Sequence, residues 1–380
     1  MNPPRATRVQ SIFNIQLNVL SESNTMRILI TGGAGFVGGA LARSFLRESS
    51  RHSVVLLDNL RRRGSESNLS GLQALGAQFV HGDVRNREDL QALDGTFDVL
   101  IEASAEPSVH AGIGSSPRYV LDTNLGGALN CLEYARERCG GLVFLSSSRV
   151  YSIDPLRALP LIETPTRLDL PEGAPQLAGA SYAGISEQFA CDGPRSYYGA
   201  SKLAAELLCQ EYAAYGGLRV VINRCGVIAG PGQFGKTDQG VFTLWVARHH
   251  YGRGLKYTGF GGTGLQVRDL LHPDDLSDLI HLQLASWEQV SGRTFNVGGG
   301  RAGSVSMQEF TQICQSVTGR TVPIEAVPAT SAVDLPWYVT DNARINGLLG
   351  WSPRRSPRDI ATDIEAWIGA NEQMLSTLIV

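Results

Sequence analysis

Tyr198 and Lys202 stand four residues apart in Tyr198-Gly199-Ala200-Ser201-Lys202. On a helix that spacing brings both side chains to one face. An ammonium beside a phenol favours the phenolate, and such a tyrosine can take a proton from an alcohol near neutral pH. Tyr197 precedes it, but the spacing to Lys202 selects Tyr198. A cluster of hydroxyls, Ser146-Ser147-Ser148, follows the apolar run Leu142-Val143-Phe144-Leu145. That run reads as a buried strand, and ligands of open parallel sheets bind just beyond the carboxyl ends of strands. A serine there can hydrogen-bond a reacting oxygen.

A third pattern supplies a partner for that chemistry. Gly32, Gly35 and Gly38 form G-x-x-G-x-x-G between the apolar run Arg27-Ile28-Leu29-Ile30 and a helical pattern from Gly39 to Leu46. A glycine turn between strand and helix lets backbone N–H groups approach a pyrophosphate, and the helix N-terminus favours its charge. The next strand, Ser53-Val54-Val55-Leu56-Leu57, ends in Asp58, about twenty residues beyond the last glycine, where a ribose-binding carboxylate belongs. Gly32, Gly35, Phe36, Val37, Gly38 and Asp58 are therefore the expected dinucleotide site. Arg61-Arg62-Arg63 could meet the 2′-phosphate of NADP, but Asp58 would repel it, and the loop reads as solvated. NAD is the expected cofactor.

These residues need a frame, and the pattern of the chain supplies one. Strand and helix signals alternate from Arg27 to about residue 223. Strands are predicted at Gln78–Asp83, Asp98–Ala103 and Leu218–Ile222, and helices over 123–138 and 198–212. Repeated β–α units predict an α/β fold, a doubly wound parallel sheet with right-handed crossovers and a smaller C-terminal part. The Pro- and Gly-rich stretch between Tyr151 and Tyr197 is too long for an ordinary connection and reads as a functional insertion. Phe295-Asn296-Val297-Gly298 reads as a strand rejoining the sheet. The expected organisation is a disordered leader over 1–25 and a dinucleotide-binding domain over 26–222, rejoined by about 268–298. Residues 223–267 and 299–370 form the substrate-binding part.

Composition narrows the classes. The chain has 380 residues, 43% of them hydrophobic, enough for a full core. A net charge of −3 suggests neither a nucleic-acid face nor a membrane-surface protein, and no apolar run is long enough for a membrane span. The first 25 residues hold only a broken apolar stretch, so no secretory signal is expected. Six cysteines lack C-x-x-C or metal spacing and read as reduced thiols of a cytoplasmic protein without a metal. Adjacent His249 and His250 point to different helix faces, His272 before Pro273 reads as a helix cap, and Phe242 and Trp245 at helical spacing read as core.

The motifs together resemble the nucleotide-sugar epimerase/dehydratase family of extended short-chain dehydrogenases/reductases. The likeness runs from Arg27 to about Trp351. It includes Thr31 to Gly38, Asp58-Asn59-Leu60, Gly82-Asp83, Asn124 to Gly127, Ser146-Ser147, Val150-Tyr151, Tyr198 to Lys202 and Phe295 to Gly299. Asp238-Gln239-Gly240 and Gln266-Val267-Arg268-Asp269, with the long insertion after Tyr151, resemble the 2-epimerases of CDP-linked deoxyhexoses. The resemblance implies a Rossmann domain with tightly bound NAD and a homo-oligomer. It implies Ser147, four residues before Tyr151, as the catalytic hydroxyl beside Tyr198 and Lys202. Asp58 and Asn59 would serve the adenosine ribose, Asp83 the adenine, and Lys202 also the nicotinamide ribose. Asn223, Gln239 and Arg268 would meet the nucleotide-sugar substrate, Arg268 at its diphosphate, which suits a guanidinium.

Two departures stand out. The usual His-x-Ala-Ala segment reads Glu102-Ala103-Ser104-Ala105 here. Ser148 and Arg149 occupy positions where dehydratases of the family carry acids, and an arginine cannot act as an acid there. Epimerisation by transient oxidation is therefore expected, with C2 as the centre from resemblance alone. A 4-epimerase, a reductase and a non-catalytic NAD-sensing regulator are the alternatives.

Overall fold

Ile28, Leu29 and Ile30 are all fully buried, as a parallel strand covered on both faces requires. They form β1 (Arg27–Thr31) at the centre of the computed structural model, which describes residues 25–49, 52–62, 64–174, 177–234 and 240–375. The expected leader through Asn24 lies outside the described residues. The glycine turn leads into α1 (Phe36–Glu48), which buries Leu41, Ala42 and Phe45 against the sheet. There follow β2 (Ser53–Asp58), β3 (Gln78–His81), β4 (Val99–Glu102), α2 (Gly127–Arg138) and β5 (Leu142–Ser147). Beyond the insertion come α3 (Tyr197–Ala214), β6 (Val220–Cys225) and α4 (Val241–His250). The chain continues through β7 (Val267–Leu271), α5 (Pro273–Ala285), β8 (Arg293–Val297), β9 (Ser304–Ser306), α6 (Met307–Thr318) and α7 (Pro357–Ala370).

Seven strands pair in the order β8-β6-β5-β4-β1-β2-β3, all parallel. This is the predicted doubly wound sheet. Chain order reverses between β1 and β4, and a crevice opens there at the carboxyl edge. Two details differ from the sequence reading. The residues before α2, Asp122–Gly126, are wound as a π-helix. The strand predicted to end at Ile222 runs on to Cys225, because β5 and β8 pair with it through Cys225.

Over this edge sits a second, smaller sheet. Val227–Ile228, β9 and Trp337–Tyr338 all pair with β7. Behind it α4, α6 and α7 share a core that includes Phe242, Phe310, Ile360 and Ile364. The insertion is no free loop: Leu156, Leu170, Ile185 and Phe189 pack with Trp337, Tyr338 and Val339. Each such fully buried apolar side chain contributes about 1.5–3 kcal/mol. Asp169 of the insertion accepts two bonds from Arg301, at 2.6 and 2.5 Å. Among the described residues no helix is long and apolar enough to cross a membrane.

Candidate active site

At the first turn the backbone doubles back on itself. Gly32 has a φ of +65°, and a Cβ on Gly38 would lie 2.3 Å from the Gly32 carbonyl oxygen. A side chain at either position would close the cradle at the N-terminus of α1. Asp58 ends β2 beside it. Its carboxylate accepts from the N–H groups of Ala34 (3.1 Å) and Leu60 (2.8 Å). Burial nevertheless raises its pKa above the ordinary carboxylate value. Asn59 donates to Asp83 at 2.9 Å, which joins the ends of β2 and β3. Arg85 also binds Asp83, at 2.6 Å, and holds its carboxyl well below the usual range. Arg61 of the basic loop lies over the Tyr119 ring, 4.3 Å from its centroid.

The second half of the site is built where α3 meets the end of β5. Ser196 caps α3 by accepting from the Gly199 N–H at 3.2 Å. A Cβ on Gly199 would lie 2.1 Å from the Arg149 carbonyl oxygen, so glycine alone lets the helix close on the turn after β5. That approach carries Tyr198 into a cavity of about 720 Å³, which Ser147, Arg149, Lys202 and Arg268 also line. Tyr197 is outside the cavity lining and 45% exposed. The Ser147 hydroxyl accepts from the Arg149 N–H at 3.1 Å and caps the short turn Ser148–Val150.

Lys202 is 2% exposed, and its Nζ lies 3.4 Å from Oε2 of Glu102, itself 1% exposed. Burial works against the ammonium, but Glu102, and then Tyr198, outweigh it and raise its pKa. One turn further along α3, Glu206 accepts the Ser146 hydroxyl and pairs with Arg224 of β6 at 2.7 Å. Arg224 in turn reaches the Tyr151 hydroxyl, which donates to Asn296 of β8 at 2.6 Å. All three serines reach the cavity lining, but the Ser146 hydroxyl is engaged by Glu206.

Sequence reasoning missed Glu102, Glu206 and Arg224. A signal for Glu206 existed: Tyr198, Lys202 and Glu206 recur every four residues along one stripe of α3. For Glu102 the signal was the departure from the family's histidine.

Asn223 is outside the cavity lining: it is fully buried and exchanges two hydrogen bonds with Gln283 of α5, at 2.9 and 2.8 Å. Gln239 lies outside the described residues. Arg268 does line the cavity; burial and the neighbouring Arg149 push its pKa down to about 9. His272 caps α5 by accepting from the Asp274 N–H. His249 bonds the Trp245 carbonyl and His250 meets Glu365, so the two rings have separate partners. Phe242 and Trp245 are core residues and also line the cavity, where Trp245 stacks on Tyr257 at 5.8 Å.

The chain belongs to the NAD dependent epimerase/dehydratase family, whose model matches residues 28–298. It is thus an NAD-dependent enzyme of nucleotide-sugar chemistry. It is 31% identical to the CDP-paratose 2-epimerase of Salmonella typhi over 359 residues, covering 90% of this chain and 99% of that protein. It is 29% identical to a dTDP-glucose 4,6-dehydratase of Streptomyces niveus, covering 91% of this chain and 94% of that one. Among solved structures, the Thermus thermophilus UDP-glucose 4-epimerase complex with NAD superposes with a TM-score of 0.72 at 25% identity, covering 91% of this chain and all of that one.

Proposed function

We propose that this enzyme inverts one carbinol centre of a nucleotide sugar by transient oxidation, and that the centre is C2 of a CDP-linked deoxyhexose. One observation carries the reaction class. Tyr198, Ser147 and Lys202 line one cavity, and so do Ser148 and Arg149, at the positions where a dehydratase needs acids. The preference for C2 and for a CDP carrier draws on the similarity to the Salmonella typhi 2-epimerase.

The glycine cradle, Asp58, Asn59 and Asp83 fit a dinucleotide. The backbone approaches closely at Gly32 and Gly38, and acceptor groups line the ends of β2 and β3. Bound there, NAD supplies reversible acceptance of a hydride from the carbinol carbon. The chain's own groups move the proton. Tyr198 takes it from the sugar hydroxyl and later gives it back, so no net acid or base is consumed. The Lys202 ammonium favours the phenolate, and Ser147 can donate to the same sugar oxygen while its lone pair stays with the Arg149 N–H. Arg268 holds the substrate's diphosphate.

Two further parts of the reading have separate support. The six free cysteines suit a reducing, cytoplasmic setting. Leu129 of α2 and Leu207 of α3 are 40% and 55% exposed, which suits a homo-oligomer.

The test is a panel of nucleotide sugars carrying deuterium at C2 or C4. The product should have the substrate's mass, keep its label and be inverted at C2, with no NADH accumulating. Loss of water, or label appearing in solvent, refutes transient oxidation. Inversion at C4 instead refutes the choice of centre.

A further inference from the structure

Two guanidinium groups line the cavity, Arg149 from the turn after β5 and Arg268 from β7. Among the described residues neither forms an ion pair with a carboxylate. Arg149 donates to the Val333 carbonyl at 3.1 Å. Arg268 donates to the carbonyls of Val267 and Leu335, each at 2.7 Å. Both thus lean on one strap, residues 333–335. The acid within it, Asp334, lies 3.9 Å from His110. The two arginines are close enough for Arg149 to weigh against the charge of Arg268. The Asp334 charge favours both guanidinium groups from outside ion-pair distance, but one carboxylate and neutral carbonyls do not cancel two positive charges; a dianion adds what is missing. A diphosphate bridge carries two charges, and a sugar carboxylate only one.

We propose that Arg149 is the second guanidinium of the substrate's diphosphate seat and grips the sugar-side phosphate. This rests on the nucleotide-sugar reading above. It also gives that reading a geometric reason for C2. Arg149 follows Ser147 by two residues, and Tyr198 is near enough to act on its charge. The sugar-side phosphate is carried on C1, which is bonded to C2, whereas C4 lies across the ring. A phosphate gripped beside Tyr198 and Ser147 brings C2 to them.

The experiment is calorimetric titration of the NAD-loaded protein with CDP and CMP, and with UDP and UMP, for wild type, R149Q and R149K. Content of bound NAD and melting temperature report whether each variant is folded. Wild type should prefer the diphosphate. R149Q should bind it roughly 10- to 100-fold more weakly, the loss of a charge-assisted bond, and should bind the monophosphate almost as before. R149K keeps the charge without the fork and should fall between. A merely structural Arg149, holding the strap, would weaken monophosphate and diphosphate alike, and that result overturns the assignment. So does an unchanged diphosphate affinity in R149Q. Wild-type protein that binds no nucleoside diphosphate overturns the nucleotide-sugar reading itself.

Discussion

Replacing Glu102 by Gln should destabilise the fold far more than a hydrogen-bond swap would. Lys202 is almost fully buried, and Glu102 is its one ion-pair partner among the described residues. Removing one member of a buried pair strands the other charge, at a cost of about 3–5 kcal/mol. For 380 residues, at about 2.1 cal/mol/K of unfolding entropy per residue, the entropy is about 0.8 kcal/mol/K, so the melting temperature should fall by about 4–6 °C. The pH dependence should also change sign. In the wild type the Lys202 pKa is raised, so its stabilising charge is fully present below the ordinary lysine value and lost only as pH rises through the raised one. Without Glu102, burial dominates and the pKa falls below the ordinary value. The unfolded chain then binds the extra proton, and stability rises with pH across that window. Calorimetric melting of both proteins from pH 6 to about 11 covers both windows and reads this directly. The double variant with Lys202→Met should recover part of the loss, since no charge is left stranded. A Glu102→Gln melting temperature within a degree of wild type, with the same pH slope, would refute the reasoning.

Tyr198→Phe should abolish turnover while leaving nucleotide-sugar binding intact, and Ser147→Ala should lower kcat by roughly 10²–10⁴-fold; steady-state kinetics with calorimetric binding separate the two effects, and near-normal turnover in Tyr198→Phe would move the base elsewhere. NAD affinity should weaken on acidification earlier than an ordinary carboxylate would cause. Burial raises the Asp58 pKa, so its ribose-accepting anion is present above that raised value and lost as pH falls through it. Equilibrium dialysis of NAD against pH checks this, and Asp58→Asn should flatten the curve.

The parts of the site that were legible in the sequence are those written in local spacing. The glycine turn, Asp58 at a strand end and the Tyr198–Lys202 pair all depend on the geometry of one turn, one strand or one helix. The sheet was legible for the same reason, because runs such as Ile28 to Ile30 announce strands covered on both faces. What was not legible depends on partners far away in the chain. Glu102 meets Lys202 across a hundred residues, and Arg149 meets Val333 across 184. The surroundings of Asn223 were hidden for a related reason. Hydrophobic alternation cannot tell which face of a doubly covered strand a polar residue takes, and here it turns to Gln283 of α5.

The buried charges follow a common logic around α3. Tyr198 faces the cavity, Lys202 lies one turn deeper and Glu206 another turn on. Each of the two buried members is matched from the sheet, Lys202 by Glu102 of β4 and Glu206 by Arg224 of β6. A single helix stripe is thus clamped to strands on either side of β5, the strand that delivers Ser147. The elements that bring Tyr198 and Ser147 to the one cavity are therefore tied together by two ion pairs. Proton transfer between positioned groups depends on such fixed geometry. Arg149 and Arg268, which line the same cavity, form no ion pair with a carboxylate among the described residues, and that contrast sets them apart from the frame, whose charges are paired within the protein.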